Sequence, residues 1–130
     1  MHWFSRQRAG DLLIFAFGLL LGVHLLILRG TIPYALVWGG LANERNIVSL
    51  SLVALGMTLF VLFVTASNLH YIQPLFPRLM RLCMWIICGY LCINTLANAW
   101  STNHIEQYYL APLTFVLAMC AGRVAWHRIP

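Results

Sequence analysis

The run LLIFAFGLLLGVHLLIL, residues 12–28, decides the fold class, because it contains seventeen consecutive residues without Asp, Glu, Lys or Arg. An α-helix needs about 20 apolar residues to cross the hydrocarbon core of a bilayer, which is roughly 30 Å thick. Three later runs are similarly long and apolar. The four predicted helices span residues 11–29, 47–68, 79–98 and 108–126. We therefore predict an all-α integral membrane protein whose first helix is too long to be a typical cleaved signal peptide.

The overall composition supports the same fold class. Of the 130 residues, 62% are hydrophobic and 8% are charged, and the mean hydropathy is +0.81. A soluble protein of this size has too much surface to hide so many apolar side chains, whereas a bilayer provides an apolar solvent. We expect a single transmembrane domain, residues 1–130, in which a structured outer loop at 30–46 joins the first two helices.

The basic residues predict the orientation across the membrane. All eight are arginine, and six lie near the two termini or in the connection between the second and third helices. These six are Arg6, Arg8, Arg78, Arg81, Arg123 and Arg128. Under the positive-inside rule they place both termini and that connection in the cytoplasm. The net charge of +5 then follows from topology and from contact with anionic membrane lipids, so we expect no nucleic-acid partner. Asp11 is expected to begin the first helix and to pair with Arg6 or Arg8.

Short connections predict that successive helices are antiparallel neighbours in an up-down four-helix bundle. In lipid, helices associate where small residues four positions apart let their backbones approach each other. The first helix carries Gly18 and Gly22, and the fourth carries Ala118 and Gly122. Such pairs serve either packing within one chain or the interface of a homo-oligomer, and the sequence leaves both interpretations open.

Polar residues gather at the helix ends that are predicted to face outward. Asn94 and Asn98 lie four residues apart in the third helix and therefore share one face. An amide without a partner is costly in hydrocarbon, so both should point inward. They form either hydrogen bonds between helices or part of a ligand site. Two of the three carboxylates, Glu44 and Glu106, lie on the same predicted side.

The outer loop contains the segment IPYALVWGGLANERN, residues 32–46. It is too rich in aromatic and apolar residues to be a solvated linker. Pro33 favours a turn or the start of a short helix, and the Gly39–Gly40 pair permits positive backbone angles or close approach. We predict that this segment lies as a lid over the outward-facing end of the bundle. Its aromatic residues also suit the ordinary interfacial belt of membrane proteins.

Together these features predict an outward-facing polar pocket under the Trp38 loop. The candidate ligand-binding residues are Trp38, Asn43, Glu44, Asn94, Asn98, Trp100, Glu106, Tyr109 and His24. Tryptophan faces and a carboxylate would suit a small amphiphilic or cationic ligand.

No catalytic residue, metal or cofactor is predicted. The four cysteines, Cys83, Cys88, Cys92 and Cys120, do not have the spacing of a zinc or redox motif. His24 is the only histidine well within an apolar run, and no second histidine lies at its depth to complete a haem site.

Three motifs resemble those of a family of small uncharacterised bacterial four-helix membrane proteins. They are the loop IPYALVWGGL at residues 32–41, NTLAN at 94–98, and Glu106 ahead of PLT at 112–114. The resemblance implies a four-helix fold in a bacterial inner (plasma) membrane, and it groups the loop, the asparagines and Glu106 into one region. It implies no activity.

The sequence leaves three functions open. The first is a non-enzymatic protein that binds a small ligand in the outer pocket. The second is a small channel or transporter that works as a homo-oligomer. The third is a membrane enzyme acting on a lipid or isoprenoid, for which Glu106 and His24 are the available acid-base groups.

Overall fold

The computed structural model describes residues 5–32, 46–74, 76–102 and 104–126. Within these ranges the backbone forms four α-helices, a short π-helical turn and no β-strand. The helices are α1 (Arg6–Leu28), α2 (Ile47–Asn68), α3 (Pro77–Ala99) and α4 (Ala111–Ala125), and the π-helical turn Glu106–Leu110 precedes α4. The predicted all-α class with four helices is confirmed. The first helix begins at Arg6, so the expectation that Asp11 would begin it is wrong.

All four helical segments are long and apolar enough to cross a bilayer. Large apolar side chains on them are widely exposed, for example Ile93 at 68%, Val53 at 66% and Phe15 at 64%. Such exposure would be unfavourable in water but is satisfied by lipid chains. The chain is therefore a multi-pass membrane protein. The side that faces the cytoplasm stays a prediction.

Contacts divide the chain into two compact units. The first contains the described residues of 1–14 and 63–130, and therefore the start of α1, the end of α2, and α3 and α4. The second contains the described residues of 15–62, and therefore the rest of α1 and α2.

In the first unit, α3 and α4 are antiparallel and pack along their lengths. Trp85, early in α3, contacts Trp126, just after α4, with ring centroids 6.2 Å apart. Thr95, late in α3, hydrogen-bonds Thr114, early in α4. The buried side chains of the pair include Met84, Ile87, Leu91, Leu117, Cys120 and Val124.

The two pairs of small residues have different surroundings. In the first unit, Ala118 is buried and its carbonyl accepts a hydrogen bond from the Cys88 thiol at 3.4 Å. A Cβ atom added at Gly122 would lie 3.4 Å from the Cys88 sulfur. This pair therefore serves packing within the chain. In the second unit, no atom lies within 4 Å of a Cβ placed at Gly18 or Gly22, so nothing covers that face of α1 within the described chain.

Two helices end in the same backbone motif with different residues. After α1, Gly30 has φ 74°, and the amides of Gly30 and Thr31 bond back to the carbonyls of Ile27 and Leu26. This is a Schellman motif, in which glycine is the usual residue at the left-handed position. After α2, the corresponding left-handed residue is His70, with φ 61°. A side chain in this conformation is strained by roughly 1–2 kcal/mol, so surrounding contacts must hold the turn after α2 in place.

Candidate functional site

The first unit has polar groups at both ends of the α3–α4 pair. We call the end that contains Glu106 the Glu106 end, and the end that contains Asn68 the Asn68 end. Because α3 is 23 residues long, the two ends are separated by roughly 35 Å at 1.5 Å per residue.

At the Glu106 end, a carboxylate is held next to a hydroxyl. The Ser101 hydroxyl, just after α3, donates a short hydrogen bond to Oε2 of Glu106, at the start of the π-helical turn. Both side chains are partly exposed. The carboxylate is therefore positioned by the protein while remaining accessible, as a ligand-binding anion must be.

Pro112 explains the π-helical turn that carries Glu106. A proline inside a helix cannot donate an amide hydrogen bond, and its ring crowds the carbonyl four residues earlier, here that of Tyr108. The backbone widens instead, and the Ala111 amide bonds to the carbonyl of Glu106, five residues back. Single π-turns of this kind are frequent at functional sites.

Aromatic side chains in this turn and in the residues just before it are exposed at the surface. Trp100 is 81% exposed and Tyr109 is 72% exposed. The His104 ring stacks on the Tyr108 ring, with centroids 5.9 Å apart. Exposed aromatic faces close to a carboxylate are suited to a cation, because the faces carry negative electrostatic potential.

The two predicted asparagines lie beside this region. Asn94 and Asn98 are both partly exposed on α3. Between them, Thr95 donates to the carbonyl of Leu91 at 2.8 Å and contacts the Thr114 hydroxyl at 3.1 Å. A side-chain contact between α3 and α4 at this depth is thus made by two threonines, which the sequence did not single out as a pair.

The remaining four predicted site residues do not belong to the described part of the first unit. Trp38, Asn43 and Glu44 lie outside the described residues. His24 belongs to the second unit, where it is buried with 5% exposure. Its Nδ1 has no hydrogen-bond partner within the described chain. The fully buried Ser51 hydroxyl of the same unit likewise has no partner there.

The Asn68 end is a hydrogen-bonded junction of helix ends. Asn68, the last residue of α2, is buried, and its side-chain amide donates to the carbonyls of Val64 and Met80 at 2.9 Å each. The second bond ties α2 to the first turn of α3. The guanidinium of Arg6, at the start of α1, donates to the backbone carbonyl of Asn68. A cation at a helix C-terminus is favoured because the last carbonyls carry partial negative charge.

Tyr71 adds a second link between α1 and the turn after α2. Its hydroxyl donates to Oδ1 of Asp11 at 2.6 Å and accepts a hydrogen bond from the Gln7 side chain. The bond to Asp11 is the largest cause that raises the pKa of Tyr71 above its ordinary value, because it stabilises the protonated phenol. The predicted partners of Asp11, Arg6 and Arg8, do not supply this bond.

The sequence did not reveal the Asn68 end as a polar junction. Asn68, at the end of a predicted helix, and Tyr71, in the following loop, were ordinary residues at a membrane boundary. The Schellman turn at His70 was also hidden, because histidine is not the residue expected there. A polar residue ending an apolar run, followed by prolines at 74 and 77, was the available signal.

The described residues contain no group of three His, Cys, Asp or Glu side chains that could hold a metal ion. The four cysteines are free thiols, with Cys120 buried and Cys92 exposed. No protein-family model matches this sequence, and no curated protein or solved structure matches it significantly. The site must therefore be interpreted from its own chemistry.

Proposed function

We propose that this protein is a non-enzymatic ligand-binding protein of a bacterial inner (plasma) membrane, and that it binds a small amphiphilic cation at the Glu106 end. The observation that carries the proposal is the Glu106 carboxylate, which is partly exposed, hydrogen-bonded by Ser101 and set in a π-helical turn. The assignment to a bacterial membrane rests on the resemblance of three sequence motifs to those of a bacterial membrane-protein family.

Two physical arguments favour a cation as the ligand. Partial burial lowers the local dielectric, which strengthens the attraction between a carboxylate and a positive charge. Exposed rings near the turn, including Trp100 and Tyr109, add both apolar contact and cation–π attraction. An amphiphilic cation could place its apolar part in the bilayer and its charge at Glu106. The proposed site also includes Asn94 and Asn98.

Binding of tetraphenylphosphonium to the protein in lipid nanodiscs, measured by calorimetry, tests this function. We expect Glu106→Gln to weaken binding about tenfold or more, because it removes a charge-assisted contact worth more than about 1.4 kcal/mol. Ser101→Ala should weaken binding less, because it removes only the group that positions the carboxylate.

Asp11→Asn is the matched control for this experiment. It makes the same change from carboxylate to amide, but at the Asn68 end, and should leave the affinity unchanged. If Glu106→Gln binds the probe as tightly as the wild type, or if both variants lose affinity equally, the proposed site is wrong.

A second candidate function is a homo-oligomeric channel or transporter. The observation that favours it is the open surface at Gly18 and Gly22, where a neighbouring helix could approach closely. Native mass spectrometry of the gently extracted protein tests it. A strict monomer would remove this candidate, and an oligomer that dissociates on Gly18→Leu would support it.

A further inference from the structure

The second unit contains two buried polar atoms that its own chain leaves unsatisfied. Its described residues have six buried side chains, which are Phe17, His24 and Ile27 of α1 and Ser51, Thr58 and Val61 of α2. Nδ1 of His24 and the hydroxyl of Ser51 have no hydrogen-bond partner within the described chain, and so they do not bond to each other. An unsatisfied buried polar atom destabilises a protein, and a ligand that bonds to it removes that cost.

Ser51 differs from the other buried hydroxyl of this unit. A hydroxyl inside a helix can bond to the backbone carbonyl three or four residues earlier. Thr58 does so, because its hydroxyl donates to the carbonyl of Ala54 at 2.8 Å. Ser51 lies on the same helix and is completely buried, but it makes no such bond. Its hydroxyl is therefore available to a group from outside its own helix.

His24 and Ser51 lie at the same depth in the bilayer. His24 is four residues before the last residue of α1, and Ser51 is four residues after the first residue of α2, so each is roughly 6 Å from its helix end. Successive helices that each cross the bilayer run in opposite directions, so these two ends lie on the same membrane face. Packed helices have axes roughly 8–10 Å apart, so one ring-sized ligand can reach both side chains.

The surroundings of the two residues favour an uncharged ligand that arrives from the lipid. Residues 12–28 and 47–68 contain no Asp, Glu, Lys or Arg. A charged ligand bound between them would be costly, because no opposite charge on these helices would compensate it. The neighbouring side chains Leu25 and Leu52 are half-exposed on the apolar surface that lipid covers. The ligand should therefore be soluble in the bilayer and carry oxygen groups for His24 and Ser51.

From these observations we propose that His24 and Ser51 bind the head of an isoprenoid quinone. The quinone ring is uncharged and carries two carbonyl oxygens on opposite sides, each of which accepts a hydrogen bond. A neutral imidazole donates from one of its ring nitrogens, and a serine hydroxyl donates its proton. Nδ1–H of His24 and O–H of Ser51 each donate to one carbonyl, while the isoprenoid tail stays in the bilayer. This site goes beyond the cation site proposed at Glu106 and uses none of its residues.

Binding of a short-chain quinone tests the proposal. The protein is placed in phosphatidylcholine nanodiscs with decylubiquinone, and the quinone that it retains is counted by native mass spectrometry. We expect the wild type to retain the quinone, and Ser51→Ala and His24→Leu each to bind it about three- to tenfold more weakly, because each loses one hydrogen bond to an uncharged ligand. A wild type that retains no quinone overturns the proposal.

Ser67→Ala is the matched control. Ser67 is also completely buried on α2, and its hydroxyl also has no partner among the described residues, but it lies at the opposite end of that helix. We expect Ser67→Ala to bind decylubiquinone as the wild type does. If it loses as much quinone as Ser51→Ala, the loss reflects altered helix packing and the proposed site is wrong.

Stability of the ligand-free protein shows whether a variant has lost binding through misfolding. Ser51→Ala removes an unsatisfied hydroxyl, so its unfolding temperature without quinone should equal or exceed that of the wild type. A lower unfolding temperature would show that the hydroxyl bonds within the protein, and would overturn the proposal. His24→Asn keeps an N–H donor near the position of Nδ1 and should bind more tightly than His24→Leu. Equal losses in these two variants would contradict the role of Nδ1.

Infrared spectroscopy distinguishes a bound quinone from one that is merely dissolved in lipid. Hydrogen bonding lowers the stretching frequency of a carbonyl group. With decylubiquinone isotopically labelled at its carbonyls, we expect a lowered band in the wild type that is absent from empty nanodiscs and weaker in Ser51→Ala. The same band in empty nanodiscs would overturn the proposal. Farnesol, an isoprenoid alcohol, should not displace the quinone at equal concentration, and displacement would assign the site to isoprenoid alcohols instead.

Discussion

The two ends of the first unit use their polar side chains in different ways. At the Glu106 end, the hydrogen bond to the carboxylate is local: Ser101 and Glu106 are five residues apart. At the Asn68 end, Arg6 bonds to a residue 62 positions away and Tyr71 to a residue 60 positions away. One end closes short loops, whereas the other joins helix ends that are far apart in sequence.

This difference distinguishes polar groups that stabilise the fold from polar groups that are available to bind a ligand. A bond between distant residues forms only when the helices have assembled, because it must offset the entropy of closing a long loop. It therefore contributes to the stability of the assembled helices. A local bond forms within one connection and can position a side chain for another purpose. We expect substitutions at the Asn68 end to change stability, and those at the Glu106 end to change binding.

The largest expected effect on stability tests this comparison directly. Asn68→Ala removes two hydrogen bonds and leaves the Met80 carbonyl without that donor, so it should lower the free energy of unfolding by about 2 kcal/mol. Asn98→Ala, a control at the other end of α3, should cost less than about 0.5 kcal/mol because that side chain is partly exposed. Unfolding in mixed micelles, followed by circular dichroism, measures both. Equal losses of unfolding free energy would mean that the polar side chains at the two ends contribute equally to stability.

A smaller effect is expected from the close approach of α1 to the turn after α2. A Cβ atom at Gly10 would lie 2.4 Å from a Leu69 methyl carbon, so Gly10→Ala should destabilise the protein by about 1–2 kcal/mol. Gly89→Ala in α3 meets open space and should instead stabilise the helix by about 0.5–1 kcal/mol. The same unfolding assay compares them. A neutral Gly10→Ala would show that Leu69 moves aside and that this contact does not hold α1 in place.

The smallest effect concerns the pH dependence of Tyr71. Because its folded-state pKa is raised, the contribution of the protonated phenol to stability is fully present below its ordinary pKa, about 10, and is lost as the pH rises through the folded value. Asp11→Asn should lower the pKa of Tyr71, because the main cause of the shift is the bond to the carboxylate. Phenolate absorbance, with a Tyr71→Phe variant subtracted, measures the change. An unchanged titration would show that the Asp11 bond is absent in solution.

Much of the fold was predictable, because each helix depends on the amino-acid composition of its own segment. The α2 bounds match the predicted 47–68, since Asn46 and Asn68 flank a run without charged residues. The predicted start of α1 is too late. Arg6 and Arg8 indicated the boundary of the membrane-spanning helix, but a helix can continue through arginine at the membrane surface. The π-helical turn was not predicted, because Pro112 alone does not specify how the backbone adjusts.

The candidate site was predictable only in part. Glu106, Asn94 and Asn98 were identified because polar residues are rare in this sequence and therefore conspicuous. The partner of Glu106 could not be assigned, since Ser101 is a common residue type in any membrane protein. The prediction that Trp38, Asn43 and Glu44 close a pocket over them stays a prediction, because those residues lie outside the described ranges.

By itself the sequence determined that this chain forms four membrane-length helices. A run of about 20 apolar residues forms a helix across the bilayer because of its own composition and the apolar solvent around it. Only the tertiary structure decided which polar groups meet. Because helix ends converge in the first unit, Asn68 donates to the Met80 carbonyl, Tyr71 donates to Asp11, and Arg6 donates to the Asn68 carbonyl. That convergence depends on contacts between distant residues, which no local pattern of residues encodes.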